Sequence, residues 1–321
     1  MPLNLDYRPK SFDSIVGNKS TVASLKAIFD RERDWPHAVL LQGPKGCGKT
    51  TAGRIIANFL LGKSYDKAAG DFYQMDGGDV NADAVRSIKQ QVSFRPLTSK
   101  ARVWLIEEAH MIGQGGDSEK NIPQNNMLTT VENAPSHVYF ILCTTNPKRL
   151  LETIRSRCHT FEFQYLDEKD TVFLLEDVLK KEKVEVGVGI LKKIAGASLG
   201  CPRDALRILD QVIDMELGKM EEAIASFSYA EKQVVDLYNA LMKKQDWKRL
   251  SSILEKMDLS NPESSRRGML GLAGFNLMRS GDKMAVFIFD AFKESFYETA
   301  KVGFQMATFR AMVELEDVEP F

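Results

Sequence analysis

Short apolar runs in the first half of the chain predict buried β-strands. Three of them stand out, at residues 37–42, 102–106 and 138–143. Uninterrupted apolar stretches of this length are typical of strands that a parallel sheet buries on both faces. Right-handed βαβ connections place helices between such strands, and residues 51–61 carry the clearest helical pattern. The pattern predicts an α/β domain built on a parallel sheet.

The strand pattern ends near Phe163, and helical periodicity takes over. Pro202 suits the first position of a helix, because its missing N–H would be unpaired there in any case. From about Ser228 the helical pattern continues to the C-terminal region, and Pro262 and Gly281 are the expected breaks. The first three helices of this second half are predicted at residues 167–183, 188–197 and 202–216.

Length and composition place the chain among globular proteins. Its 321 residues are 44% hydrophobic and 27% charged, which excludes a disordered, collagen-like or disulfide-dense chain. At ~100–200 residues per domain, two or three domains are expected. The longest strongly apolar run, residues 284–289, is far shorter than the ~18–20 residues of a membrane span, and the first residues lack a secretion signal. We expect no membrane partner.

The four cysteines do not predict a metal cluster. Cys47, Cys143, Cys158 and Cys201 are widely spaced, and none belongs to a CxxC pair. Free thiols in a reducing cytoplasm are therefore expected.

The small net charge of −1 hides an asymmetry. Residues 1–165 hold 21 Lys/Arg and 17 Asp/Glu, a balance of +4, whereas residues 166–321 hold 22 and 27, a balance of −5. The net charge argues against a nucleic-acid coat protein, and the asymmetry favours the first part for a phosphate-binding surface. A chance imbalance is the alternative, and charge alone does not separate the two.

A glycine-rich motif after the first predicted strand indicates a phosphate site. It fits G-x-x-x-x-G-K-(S/T) and reads Gly43-Pro44-Lys45-Gly46-Cys47-Gly48-Lys49-Thr50, with Thr51 next in the predicted helix. Glycines let backbone N–H groups surround phosphate oxygens, and the helix N-terminus adds positive potential. Lys49 is predicted to reach the β- and γ-phosphates of a nucleotide, and the Thr50 hydroxyl to bind Mg²⁺. A glycine-rich turn that matches by chance is the alternative.

Two acids and a polar segment follow the next strands. Glu107 is assigned to the metal, through water, and Glu108 to polarising the attacking water. Two solvated acids at a strand end are the alternative. Residues 144–146, Thr-Thr-Asn, end the third strand, where a polar side chain could sense the γ-phosphate. A turn before Pro147 competes with that interpretation, and spacing does not decide between them.

Several segments together resemble one family. They are residues 7–12 with residues 15–17, the phosphate loop, the pair Glu107–Glu108, and Ser156-Arg157-Cys158. In this order they resemble the AAA+ ATPase subunits of sliding-clamp loaders, which include bacterial DNA polymerase III gamma/tau, the small subunits of replication factor C, and phage equivalents. The resemblance covers residues 5–215, and its most specific element is the Ser-Arg-Cys triplet. Beyond residue 215 only helical character and length agree.

The resemblance implies an architecture, a function and partners. The expected parts are an AAA+ P-loop core at residues 1–165, a helical lid at 166–227 and an all-α collar at 228–321. The expected function is ATP-driven opening of a ring clamp and its placement on primer–template DNA. Partners would be other clamp-loader subunits, homo- or hetero-oligomeric in a pentameric ring, the sliding clamp and DNA. The expected location is intracellular with DNA, such as a bacterial or phage-infected cytoplasm.

The resemblance also implies roles for residues near the γ-phosphate. Arg157 resembles the arginine finger that acts in trans on a neighbour's ATP, with Arg155 a lower-ranked candidate. A surface arginine after a strand is the alternative. Thr145 matches sensor 1. Arg203 resembles sensor 2 in the lid, and the alternative is a first-turn arginine that pairs with nearby carboxylates.

Further roles concern the nucleotide and DNA. An N-terminal segment, or alternatively a packed arm, would embrace the nucleotide through Arg8, Val16 and Gly17. Gln124 falls where the family has a glutamine that links bound DNA to the catalytic acid, and an ordinary polar helix-start residue is the alternative. Arg86 and Lys89, on a predicted helix, would face DNA phosphates in a central pore or, alternatively, form a solvated helix face.

The sequence departs from the family pattern in four places. Glu107 stands where the metal-binding residue of the family is usually Asp. Its extra methylene changes how the waters of Mg²⁺ would be held, and therefore affects the expected rate of ATP turnover. The four-cysteine zinc module of bacterial gamma/tau is absent, which favours the phage or replication-factor-C type. The segment at residues 112–121 is longer than the corresponding segment of the family. It would form either a flexible loop on the DNA side or an additional surface feature. Thr129 replaces a basic residue, so a second trans contact to ATP is not expected.

Other functions fit parts of the sequence. A non-hydrolysing subunit that only donates Arg157 is one, although intact Lys49, Thr50 and Glu108 argue against it. Another AAA+ motor, of the helicase-loader or branch-migration type, is a second, and clamp binding distinguishes it. An interaction scaffold with structural ATP is a third.

Overall fold

Contacts divide the chain after Ile213, into the units Met1–Ile213 and Asp214–Phe321. The computed structural model describes residues 2–31, 34–113, 122–259, 262–296 and 299–316. The elements of the first unit are α1 Leu3–Asp6, α2 Lys19–Phe29, β1 Ala38–Gln42, α3 Lys49–Leu61, β2 Phe72–Asp76, α4 Ala82–Gln91, β3 Arg102–Glu107, α5 Ile122–Glu132, β4 Val138–Thr144, α6 Glu152–Arg155, β5 His159–Glu162, α7 Glu168–Glu182, α8 Val188–Ser198 and α9 Pro202–Val212.

A five-stranded sheet organises the first unit, in the order β2-β3-β4-β1-β5. Every pairing in it is parallel. The three predicted strands are confirmed as β1, β3 and β4, which occupy the middle of the sheet, and the predicted α/β fold is confirmed with them. The sequence pattern missed the edge strands β2 and β5, because edge strands alternate exposed and covered positions and lack a continuous apolar run.

Burial on both faces explains why the central strands are apolar at every position. Val39 and Leu41 of β1 pack in a core with helix α3, whereas Leu40 packs in the opposite core with Trp104 and Phe140. Successive strand residues point to opposite faces, so each face receives its own apolar set. The residues of β1 from Ala38 to Leu41 are accordingly all buried.

The register of the sheet brings the carboxyl ends of its strands to one edge. Gln42 of β1 pairs with Thr144 of β4, and Asp76 of β2 pairs with Glu107 of β3. In open parallel sheets, ligands bind in the crevice at this edge. The phosphate loop, which follows Gln42, therefore lies beside the acids that follow β3.

Helices α7, α8 and α9 pack against one another after the sheet. The N-cap Asp167 accepts a hydrogen bond from the Asp170 N–H at 2.7 Å, which fixes the start of α7. The predicted helices at 167–183 and 188–197 are confirmed. The one predicted at 202–216 starts correctly at Pro202 but ends at Val212, so the prediction was four residues too long.

The second unit contains helices packed around an apolar core. They are α10 Leu217–Met242, α11 Trp247–Lys256, α12 Pro262–Ser280, α13 Lys283–Phe292 and α14 Ala300–Glu316. Buried aromatic residues of this core include Tyr238, Phe292 and Phe304. The expected breaks are confirmed, because α12 begins at Pro262 and Gly281 separates it from α13.

The position of the domain boundaries stays a prediction. The expected division at residues 227 and 228 lies within α10, which runs without interruption from Leu217 to Met242. The extra loop expected at residues 112–121 lies, from residue 114 onward, outside the described residues. Among the described helices, none combines the length and the apolar character that crossing a membrane requires.

Candidate active site

The phosphate loop joins β1 to α3 and depends on glycine for its shape. Gly43, Gly46 and Gly48 have positive φ angles of 143°, 80° and 106°. A side chain at Gly43 would also place its Cβ 2.1 Å from the carbonyl oxygen of Phe163. Only glycine permits this combination of backbone angle and close approach. The loop leads into α3, whose N-terminal N–H groups face the same space.

A cavity of about 350 Å³ opens over this loop. Its apolar wall includes Ile15, Val16, Leu166, Leu174 and Leu206. Its polar lining contains most of the predicted nucleotide residues, namely Arg8, Lys45, Gly46, Cys47, Gly48, Lys49, Thr50, Thr51, Glu107, Glu108 and Arg203. An apolar end and a polar, phosphate-loop end suit the base and the phosphates of a nucleotide, respectively.

Three predicted residues lie behind the cavity surface. Gly17, with φ of 69°, packs so closely on Leu166 that a Cβ would lie 2.3 Å from its Cδ2. The carbonyl oxygens of Gly43 and Pro44 accept hydrogen bonds from the Lys49 ammonium at 2.8 and 2.7 Å. These residues shape the loop and its lysine.

The residues of the predicted metal site are hydrogen-bonded to each other. The Thr50 hydroxyl donates to Glu107 Oε2 at 2.8 Å. Hydroxyl and carboxylate oxygens are the hard ligands that Mg²⁺ prefers, and this ion keeps several of its waters. The donor set at this position therefore fits Mg²⁺, which Thr50 and Glu107 would hold.

Glu108 sits in a strained backbone conformation beside that pair. Its φ and ψ angles are 43° and 47°, in the left-handed region, which costs a non-glycine residue about 1–2 kcal/mol. Gly77 makes room for this turn, since a Cβ there would lie 2.3 Å from the Glu108 carbonyl oxygen. The Thr145 hydroxyl donates to Glu108 Oε2 at 2.9 Å. The structure thus brings together the predicted catalytic acid and the predicted sensor 1.

His110 adds a buried imidazole to this cluster. Its Nδ1 lies 3.1 Å from Thr144 Oγ1 and 3.4 Å from Glu108 Oε2. Burial lowers the pKa of His110, and the Glu108 carboxylate opposes that shift. A neutral imidazole therefore borders Glu108, the predicted catalytic acid, at neutral pH.

Positive charges gather at the cavity. Burial lowers the pKa of Arg8, and the nearby guanidinium groups of Arg54 and Arg203 lower it further. Arg203 is held there by α9, whose N-cap Cys201 lies so close to the loop that a Cβ at Gly46 would be 2.5 Å from its sulfur. Mutual repulsion among these cations favours an anionic ligand, which would relieve it.

Two cysteines line the cavity, Cys47 and Cys143. Burial raises the pKa of both thiols. They therefore remain protonated and neutral, and contribute small buried side chains to the floor of the site.

Sequence comparisons agree with this geometry. Residues 17–167 match the family model described as DNA polymerase III, delta subunit. The gamma/tau subunit of Mycobacterium tuberculosis is 33% identical over 232 residues, covering 66% of this chain and 39% of that protein. The gamma subunit of Buchnera aphidicola from Acyrthosiphon pisum is 30% identical over 267 residues, covering 78% of this chain and 69% of that subunit. The chain belongs to the DNA polymerase III gamma family.

Solved structures agree on the fold. The Thermotoga maritima RuvB Holliday junction branch migration motor matches with a TM-score of 0.55 at 23% identity, covering 71% of this chain and 78% of that one. At this identity the match shows the AAA+ fold alone. The match to the mycobacterial gamma/tau subunits spans about 39% of their length.

Within this gamma-family chain, Arg157 lies outside the cavity. It follows α6, where its Nε pairs with a carboxylate oxygen of Glu132 on α5. Its Nη1 donates to the Thr153 carbonyl at 2.9 Å, and 41% of the side chain is exposed. Arg155, the lower-ranked candidate, has a buried Nε without a hydrogen-bond partner among the described residues.

The predicted DNA residues of the gamma-family chain also lie away from the cavity. Gln124 is buried and accepts a hydrogen bond from the Leu151 N–H at 2.9 Å, so its amide ties the start of α5 to the segment before α6. Arg86 and Lys89 are exposed on α4, and Arg86 pairs with Asp83 at 2.8 Å. Thr129 is exposed on α5 and donates to the Asn126 carbonyl.

Sequence reasoning missed Gln74, Asp76, His110 and Glu132. Gln74 and Asp76 belong to the unpredicted edge strand β2, and Asp76 lines the cavity. Recognition of β2 would have placed Asp76 beside the acids of β3. The partnership between Glu132 and Arg157 joins α5 to the end of α6, and no local pattern signals it.

Proposed function

We propose that the chain is the ATPase subunit of a sliding-clamp loader. It binds and hydrolyses ATP at sites between subunits, opens a ring clamp and places it on primer–template DNA in the cytoplasm of a bacterial or phage-infected cell. One observation supports this proposal: the residues predicted to bind phosphate, hold the metal and activate water line one cavity, whereas Arg157 lies outside it and is 41% exposed.

The roles within one subunit follow from the contacts. When the nucleotide binds, the Lys49 ammonium leaves the carbonyl oxygens of Gly43 and Pro44 and donates to the β- and γ-phosphates instead. Arg203 reaches the γ-phosphate from α9. Thr50 and Glu107 would hold Mg²⁺, which when bound neutralises phosphate charge. Glu108 orients the attacking water once its carboxylate leaves the Thr145 hydroxyl, and Thr145 then contacts the γ-phosphate.

The neighbouring subunit supplies the remaining charge. Arg157 Nε pairs with Glu132, and its Nη1 donates to the Thr153 carbonyl. These two contacts orient the guanidinium and leave Nη2 to bind a ligand. Guanidinium groups bind phosphate oxygens with paired donors in a plane. Such a finger stabilises charge on the transferring phosphoryl group, so hydrolysis depends on assembly.

The second unit presents an apolar surface for that assembly. On α14 the exposed residues Val302, Met306, Phe309 and Val313 form an outer stripe opposite the buried residues of the same helix. Apolar residues on two sides of a surface helix indicate that both sides are covered. We assign the outer stripe to contacts with the helical region of the next subunit in a pentameric ring.

Met306→Glu is expected to break the assembly, because it buries a carboxylate in that contact. Native mass measurement with an ATP analogue and partner subunits would report fewer subunits per complex, with at least tenfold weaker association. Met278→Glu is the matched control, because Met278 is 88% exposed on α12, outside the outer stripe. Equal assembly of the two variants would contradict the assignment.

The loop between α4 and β3 offers a contact for the clamp. Phe94 and Leu97 are 62% and 71% exposed there. The loop is nevertheless anchored, because the Asp71 carboxylate accepts hydrogen bonds from the N–H groups of Leu97, Thr98 and Ser99 at 2.7–2.9 Å. A rigid loop that presents two large apolar side chains suits a protein partner with an apolar pocket.

Clamp binding tests the proposed function. Phe94→Ser with Leu97→Ser is expected to weaken ATP-dependent binding of the cognate clamp by at least tenfold, measured by surface plasmon resonance, with ATP affinity unchanged. Phe173→Ser is the control, because Phe173 is 58% exposed on α7. No binding of the clamp by the wild-type assembly would refute the clamp-loader function and favour another AAA+ motor.

DNA would be held through its phosphates. Arg86 and Lys89 lie one turn apart on the exposed face of α4, at the spacing that suits successive phosphate contacts. Phosphate contacts fix the position of DNA without reading its sequence. Loading at any primer–template junction requires this kind of contact.

A further inference from the structure

We propose that Gln74 is a positioning residue for Glu107, the acid assigned to the metal. The inference rests on the proposed Mg²⁺–ATP site and deepens it. Gln74 lies on β2, and its side-chain amide Nε2 donates to Glu107 Oε1. The other oxygen, Oε2, accepts from the Thr50 hydroxyl at 2.8 Å. Both carboxylate oxygens of Glu107 are therefore held by side chains from different elements.

Arg54 fixes the orientation of the Gln74 amide. Its Nε and Nη2 donate to Gln74 Oε1 at 3.2 and 3.0 Å. A guanidinium only donates hydrogen bonds, so the amide oxygen must face Arg54 and the amide nitrogen must face Glu107. The guanidinium is in turn placed over the Tyr65 ring, 5.3 Å from its centroid.

Together these hydrogen bonds form one network that joins three elements of the fold. Arg54 and Thr50 lie one turn apart on α3, Gln74 lies on β2, and Glu107 ends β3. Gln74 sits two residues before Asp76, the register partner of Glu107, so the strand pairing places its side chain near that carboxylate.

The length of the Glu107 side chain explains why its carboxylate needs a second hydrogen-bond partner. Compared with aspartate, the usual residue in the resembling family, Glu107 has one more methylene and one more rotatable bond. A carboxylate with that freedom reaches the metal position in only some of its rotamers. The Gln74 amide selects the rotamer in which Oε2 meets Thr50. Partners of this kind, one step behind a metal ligand, commonly contribute 10–100-fold to metal affinity.

Binding of Mg²⁺ with a fluorescent ATP analogue tests the proposal without any turnover. The measured quantity is the Mg²⁺ concentration that gives half of the metal-dependent rise in nucleotide affinity. Gln74→Met keeps the length and loses the amide, and it should raise this concentration about tenfold. Nucleotide affinity in EDTA should not change. Gln90→Met, at an exposed position of α4, is the matched control and should match the wild type.

A double-mutant cycle separates positioning from a general effect on the strand. In Glu107→Asp the shorter carboxylate stays out of reach of the Gln74 amide, so adding Gln74→Met should change the Mg²⁺ requirement less than twofold. Gln74→Ala, checked by circular dichroism, provides a second variant if Gln74→Met does not fold.

The outcomes are distinct. A wild-type chain without Mg²⁺-dependent nucleotide binding would refute the proposed ATP site itself. A wild-type chain with such binding, together with Gln74 variants of unchanged Mg²⁺ requirement, would refute only the role of Gln74. The role of Gln74 would also be refuted if Gln74→Met raised the Mg²⁺ requirement equally in the wild type and in Glu107→Asp. The effect of Gln74 would then not depend on its contact with the Glu107 carboxylate.

Discussion

Lys49→Ala is expected to weaken ATP binding severely. The lysine is 7% exposed, and its ammonium lies over the phosphate loop, bonded to the Gly43 and Pro44 carbonyls. A charge-assisted hydrogen bond is worth about 1.5–3 kcal/mol, and a bound triphosphate would receive at least one from this group. At about 1.4 kcal/mol per factor of ten, the loss is on the order of 10–100-fold in affinity.

Titration with a fluorescent ATP analogue measures this loss. Lys67→Ala removes an exposed lysine just after α3 and should bind like the wild type. Thermal unfolding of Lys49→Ala should remain cooperative, because the removed hydrogen bonds go to loop carbonyls that water can satisfy. An affinity within twofold of the wild type would show that the loop does not hold the phosphates.

The central part of the fold was predictable because burial leaves a local signal. Strands β1, β3 and β4 are covered on both faces, so each appears as an apolar run bounded by polar residues. The phosphate loop is equally local, since its glycines and lysine are consecutive. Strand β2 gives no such signal, because Gln74 and Asp76 are exposed at the sheet edge.

Contacts between distant segments explain what the sequence did not reveal. Gln74 meets Glu107 across 33 residues, and Arg157 meets Glu132 across two helices. The end of α9 was also missed, because apolar periodicity extends beyond Val212, where the helix stops. For the two side-chain contacts the deciding partner comes from another element, and helical or strand periodicity does not reveal it.

The contacts of Glu108 support the proposed dependence of hydrolysis on assembly. Glu108 is held by the Thr145 hydroxyl at 2.9 Å and bordered by the buried imidazole of His110. In the proposed mechanism, assembly with a neighbour and DNA would shift the Glu108 carboxylate toward water.

Arg157→Ala is expected to remove most ATP hydrolysis in the assembled complex while leaving nucleotide binding intact. The side chain lies outside its own cavity, so ATP affinity of the isolated chain should stay within about threefold of wild type. Steady-state hydrolysis with clamp and primer–template DNA should fall on the order of 10³-fold, the usual range for a finger. Arg155→Ala, at the last residue of α6 and two residues before Arg157, is the comparison and should retain most activity. Mixing Arg157→Ala chains with Lys49→Ala chains should restore part of the turnover, because one supplies the intact site and the other the finger. Wild-type hydrolysis by an assembled Arg157→Ala complex would show that the charge comes from elsewhere.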